Sequence, residues 1–444
     1  MNREVTIMQR SLVPFAVGLA VLASPLAARS EETRETGTLV LTIEQTLSLA
    51  AEQSQEVRKA REYRAQVEAR YGEERSAALP RFTLSGSAAY SGDSSQAGLG
   101  PPERTNNYAA TLGVVQPVFT WGQIGAAIKL ADIGRSTAAD RLAGARGTAQ
   151  RDAAIAFFDV LLAREFAALA TQNLEQRGRH LEEARRRLVA GTATEFDVLA
   201  ASVAEQNSRP EVIRSANRVS AARERLAFVL GVRGREVDVS GSLVSAAAAV
   251  PDYATAFQTA ATGRPELGEL RKGRAMSEQL VRIAQAGNKP RLDLGADLGW
   301  RAVDMDGRTG NGSTWSAGLR LTWPVFDGGR TTGAVARTES ETRSLGLDED
   351  RFLDALALET RTGVDAVREA AAIVEALAGT VTEAERLLAM AERGFELGVK
   401  VRLDVDDAQL NLLQARAGLA RGRRDLLAAQ VNLRWITGEL SAGR

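Results

Sequence analysis

The sequence predicts a duplicated α/β membrane protein, in which short strands facing lipid alternate with very long helices. Three observations predict it. Segments far apart in the chain repeat at one constant spacing. Between the helical stretches, apolar and polar residues alternate with a period of two. The helical stretches themselves carry heptads.

The spacing is 207 positions. Pro117 and Phe119 of "VVQPVFTWGQ" return as Pro324 and Phe326 of "LTWPVFDGGR", and Gly191 and Asp197 return as Gly398 and Asp404, in each case 207 positions on. Gly231 and Gly438 close the copies at the same offset of 207. A constant offset over so long a stretch marks an internal duplication.

The elements follow in order. Residues 1–28 read as a signal peptide: Arg3 and Arg10 flank apolar "SLVPFAVGLAVLA", and "SPLAARS" offers small residues for cleavage near Ala28. Residues 29–231 form the first repeat, with helices over 43–78, 121–190 and 195–230 and strands over 79–91 and 107–119. Residues 232–252 link the copies. Residues 253–438 form the second repeat, with helices over 253–288, 327–397 and 402–437 and strands over 289–303 and 314–326. Residues 439–444 are a tail. At ~1.5 Å per residue each middle helix reaches ~105 Å, about twice its shorter companions. Val405, Leu412, Leu419, Leu426 and Leu433 recur every seven residues, with Ala408, Ala415, Gly422 and Ala429 between them. Large and small residues alternating in a heptad make a coiled-coil seam with close helix approach. Pro210 predicts a kink in the first copy's last helix.

The strands separate two faces. Leu292, Leu294, Leu298 and Trp300 alternate with Arg291, Asp293, Asp297 and Arg301. Trp315, Leu319, Leu321 and Trp323 alternate with Ser316, Gly318, Arg320 and Thr322. About ten residues suffice for a tilted membrane strand. One face is apolar with aromatic ends; the other is polar, as a barrel lumen is. Arg291, Asp293, Asp297, Arg301 and Arg320 are the lumen candidates. "SGDSSQAGLGPPERTN" and "DMDGRTGNGS" read as exposed loops. Four strands cannot close a membrane barrel, and open edges are not tolerated in lipid. Several chains must share one barrel. Two would supply eight strands and three would supply twelve, and spacing alone leaves both open.

Composition excludes several classes. Basic and acidic residues balance at 56 each, so nothing points to nucleic acid. There is no cysteine, hence no disulfide or thiolate metal site. His180 is the only histidine and sits among Arg and Glu, which reads as a solvated helix face. No cofactor motif occurs. An enzymatic reading would rest on carboxylate pairs such as Asp404 and Asp407 alone. A periplasmic coiled-coil structural or adaptor protein without a barrel is the competing reading.

The duplicated "QPVFTWGQ" and "WPVFDGGR" junctions and glycine–Asp turns resemble the TolC family of bacterial outer membrane efflux proteins. The likeness runs from "LTIEQTLSLA" to "VNLRWITGEL". It implies a homotrimeric duct: a shared 12-stranded transmembrane β-barrel, continuous with a periplasmic α-helical coiled-coil barrel. It implies an equatorial belt from residues 30–42, 232–252 and the C-terminal end. It implies an outer membrane channel of a tripartite efflux or type I secretion system, with a periplasmic adaptor and an inner membrane transporter as partners. Its cargo would be small molecules or proteins.

The resemblance also assigns residues. The tip turns would contact the adaptor, which falls on Gly191, Thr192, Gly398 and Val399. Thr192 and Glu195 offer a T-x-x-E capping box for the next helix. The family's closed state is latched by an aspartate bridging to a tyrosine and an arginine. Asp197 stands at the aspartate, but Phe395 and Lys400 stand at the other two positions, which implies a weaker latch. Asp404 and Asp407 match two aspartates that ring the narrowest point. They are three positions apart and share a helix face, whereas Asp406 points elsewhere. The plainer reading of all three is negative charge at a helix N-terminus.

Overall fold

The computed structural model describes residues 38–93, 103–232, 234–244, 250–305 and 308–441. The signal segment and its cleavage position lie outside them, as do most of residues 30–42 and the end of the tail.

Two short segments open the described chain, strand β1 (Leu39–Leu41) and helix α1 (Ile43–Gln53). Then come α2 (Gln55–Ser76), strands β2 (Arg81–Asp93) and β3 (Glu103–Phe119), α3 (Gln123–Val189) and α4 (Glu195–Leu230). Strand β4 (Val237–Val239) leads to the second copy. That copy contains α5 (Tyr253–Gly263), α6 (Pro265–Gln285), β5 (Arg291–Met305), β6 (Arg308–Thr322), α7 (Arg330–Glu396) and α8 (Arg402–Ile436). Helices α3 and α7 have 67 residues each, so each is ~100 Å long.

The stretches 43–78 and 253–288 are each two helices rather than one. Ser54 ends α1 and its hydroxyl accepts from Val57 N–H to cap α2. Arg264 and Pro265 make the matching break between α5 and α6. The breaks make room for the ends of the last helices. A Cβ on Gly231 would lie 2.7 Å from the Gln53 carbonyl oxygen, and one on Gly438 would lie 2.4 Å from Gly263 backbone. Helix α4 runs through Pro210 without interruption.

Strands β2, β3, β5 and β6 form one antiparallel sheet in that order. Its register lines up Leu84, Leu112, Leu298 and Trp315 as one apolar row. The segment Arg308–Gly312, expected as loop, belongs to β6 because it pairs with Arg301–Met305. Trp323 to Phe326, expected as strand, lie beyond its end. Helices α2, α3, α6 and α7 pack side by side in the same order as the strands they join. Wall and sheet are therefore continuous.

The largest apolar core lies at mid-height, where β1 and β4 pair in parallel. Phe157, Phe158, Val160, Leu226, Leu230 and Val239 are buried there. Asp238 fastens it, bonded to Arg164 and at 2.9 Å to Arg223.

Candidate functional site

The far ends of α3 and α7 carry the glycine turns. Gly191 and Gly398 have φ of 75° and 73°, the left-handed region that glycine enters freely. Both turns close as Schellman motifs: Thr192 N–H donates to the Arg187 carbonyl at 2.9 Å, and Val399 N–H to the Gly394 carbonyl at 2.9 Å. Val399 is exposed. The Lys400 stem crosses Gly394, where a Cβ would meet its Cγ at 2.6 Å.

The capping box of α4 lies two residues later than expected. Thr194, not Thr192, is the N-cap, and Asp197, not Glu195, is its partner. The Asp197 carboxylate accepts from Thr194 N–H and Oγ–H, both at 2.8 Å. The Thr194 N–H is the larger cause holding the Asp197 pKa below the usual carboxylate range. In the second copy Asp404 accepts from Val401 N–H at 3.0 Å, but Val401 has no side-chain oxygen to return the bond, and its carbonyl accepts from Asp404 N–H at 3.1 Å instead.

Within the chain, Asp197 therefore bonds to its own helix start. Phe395 and Lys400 have other neighbours. The Arg187 guanidinium stands 4.9 Å from the Phe395 ring centroid and Arg402 stands 5.9 Å from it. Lys400 Nζ lies 3.7 Å from Asp404. On α8, Asp404 is half-buried and Asp407 is exposed.

Asp406 makes the strong contact that the sequence did not signal. Its Oδ1 accepts from Arg177 of α3 at 2.8 Å and lies 3.6 Å from Arg402. Beside it, His180 Nε2 and the buried Gln409 amide are 2.8 Å apart. His180 is thus half-buried against α8, not a solvated face residue. Burial first, then the nearby Arg402 charge, lowers its pKa from 6.5 to about 4. Arg177, His180, Asp197, Phe395, Arg402 and Asp406 line one cavity of about 360 Å³ between the copies. Among the described residues no cluster of three ligating side chains could hold a metal ion.

At the sheet, Arg291, Asp293, Asp297 and Arg301 share one face of β5 by alternation. Arg291 Nε donates to Asp293 at 2.9 Å, and Asp293 faces Arg320 of β6 in the register. Ser316 donates to Asp297 at 3.3 Å. Asp297 leans over Gly113, where a Cβ would meet its Oδ1 at 2.7 Å. Among the described residues no helix is long and apolar enough to cross a membrane.

The pattern defining the Outer membrane efflux protein family matches residues 46–232 and 256–439, both copies. The chain belongs to that family. BepC, an outer membrane efflux protein of Brucella suis, is 25% identical over 65% of this chain and 63% of its own length. The chain thus spans somewhat less than two thirds of that relative. AprF, an alkaline protease secretion protein of Pseudomonas aeruginosa, is 24% identical over 76% of this chain and 70% of its own. The Campylobacter jejuni CmeC outer membrane channel superposes with a TM-score of 0.78 at 16% identity, covering 98% of this chain and 94% of that one. That likeness gives the α/β duct fold, and the family is one of channel proteins.

Proposed function

We propose that three copies of this chain form a passive outer membrane duct. Twelve strands would make the barrel and the α2-α3-α6-α7 rows would make the periplasmic tunnel wall. The observation that carries this reading is the sheet itself. Among the described residues its outer strands β2 and β6 are each paired along one edge alone, and its helices continue in the same order. Unpaired edges are untenable in lipid, so β2 of one copy must pair with β6 of another. Apolar side chains as large as Leu84 and Trp315 are 78% and 80% exposed, which a lipid-facing wall explains.

Arg291, Asp293, Asp297, Arg301 and Arg320 would line the barrel lumen. Asp404 and Asp407 would form two acidic rings at the periplasmic tip and favour cations. The turns at Gly191, Thr192, Gly398 and Val399 would meet a periplasmic adaptor, which links the duct to an inner membrane transporter. BepC is named for efflux and AprF for protease secretion, which supports a duct whose cargo would be small molecules or proteins.

The test is direct. The detergent-extracted protein should be a trimer from the outer membrane fraction, with discrete cation-selective conductance in planar bilayers. Asp404→Asn with Asp407→Asn should reduce that selectivity. A monomer in the soluble periplasmic fraction would instead support a coiled-coil spacer.

A further inference from the structure

The two copies solve one crossing differently. Between β6 and α7 the chain runs through Gly328 and Gly329, with φ of 64° and 85°. At the matching positions between β3 and α3 stand Trp121 and Gly122, with φ of 50° and 79°. Trp121 is the one non-glycine residue with positive φ among the described residues. A bulky side chain is disfavoured there and glycine is not. The second copy shows the unstrained solution, so strain kept at Trp121 points to a task for the indole.

Its surroundings supply that task. The indole stands edge-on to Phe119, with centroids 5.2 Å apart. Phe119 pairs with Leu292, and Leu292 with Leu321, at the helix-proximal end of the apolar face. Trp121 also walls a cleft of about 500 Å³ between the start of α3 and the end of α6. Lys129, Arg282 and Lys289 line this cleft, and no carboxylate does. Lys129 pairs with Asp132. Arg282 donates only to Gln279, at 3.4 Å, and Lys289 lies 6.0 Å from the Trp121 ring centroid. Neither makes an ion pair among the described residues. Helices α3 and α6 are the inner pair of their row, so one chain builds the cleft. The second copy has Ala336 in place of Lys129.

The geometry points to a binding site for the phosphate of a glycerophospholipid in the periplasmic leaflet, held by Arg282 and Lys289, with Trp121 against the lipid's glycerol end. The inference rests on the sheet being a barrel wall. Tryptophan settles at the membrane interface, at the depth of the headgroups. Basic clefts at that depth attract lipid phosphate, and a guanidinium can bind it with two parallel hydrogen bonds. The apolar continuity from Trp121 to Phe119 favours a lipid over free phosphate.

The test uses the detergent-solubilised trimer titrated with phosphatidylglycerol, read by lipid retention in native mass spectrometry and by thermal midpoint. Wild type should retain the lipid and gain stability. Trp121→Gly installs the second copy's residue, so it should fold at least as well yet lose retention about tenfold, as should the pair Arg282→Gln and Lys289→Gln. Millimolar glycerol 3-phosphate should give no such stabilisation. Wild-type retention in both variants overturns the site. Equal stabilisation by glycerol 3-phosphate makes it a free-phosphate site and overturns the lipid. A wild-type chain that neither trimerises nor enters vesicles strikes at the barrel itself.

Discussion

Replacing Asp406 by asparagine removes one charge from the contact that ties α8 to α3. Asp406 accepts from Arg177 at 2.8 Å, with side chains 32% and 20% exposed. A charge-assisted hydrogen bond in such a place contributes about 1.5–3 kcal/mol, against about 0–1 for an exposed pair. With about 2 kcal/mol lost, an equilibrium that separates α8 from α3 shifts about 30-fold per chain. Asp406→Asn should therefore raise open probability in planar bilayers and lower the urea midpoint. The control is Asp365→Asn, because Asp365 lies 3.7 Å from Arg368 with both side chains more than half exposed. If Asp406→Asn matched that control in both assays, the α3–α8 tie would not hold the tip.

The remaining predictions are smaller. His180 has a folded pKa of about 4 against 6.5 unfolded, so the unfolded chain takes up its proton first and stability falls as pH drops from 6.5 to about 4. Allowing for its partial exposure, the loss is about 1–2 kcal/mol, and His180→Gln should flatten the urea midpoint over that window. An unchanged pH slope would count against it. Thr194→Ala should cost about 1 kcal/mol in thermal denaturation and Thr192→Ala clearly less, since only Thr194 caps α4. Trp435 lies between Arg151 and Arg264, at 4.2 and 4.3 Å, and its indole N–H reaches Thr148 at 3.3 Å. Trp435→Ala should cost about 3 kcal/mol, read from the denaturant midpoint of the full chain.

What was periodic could be read from the sequence. The heptad from Val405 to Leu433 and the alternation from Arg291 to Arg301 are local patterns, and each forms the element it implies. What depended on distant residues could not. The break at Ser54 leaves space for Gly231, 177 positions on (231 − 54). The glycines of "RTGNGS" suggest a loop, yet pairing with β5 draws Gly310 and Gly312 into strand. "TATEFD" holds both T-x-x-E and T-x-x-D, and only the start of α4 at Glu195 chooses the second. His180 has charged sequence neighbours, but Gln409, 229 positions away, decides its burial. Of the site, the two glycine turns were legible as turns. The Asp406 tie was hidden because its partner sits in the other copy.

The unpartnered edges of β2 and β6 also govern how such an assembly is made. In the proposed barrel no copy would finish its hydrogen bonding alone, so insertion and oligomerisation would be one event whose yield rises steeply with chain concentration. A copy with one damaged edge still offers the other and can enter a ring that never closes. Co-expressed at equal levels, such a chain would spoil all but about one ring in eight, were copies mixed at random in threes.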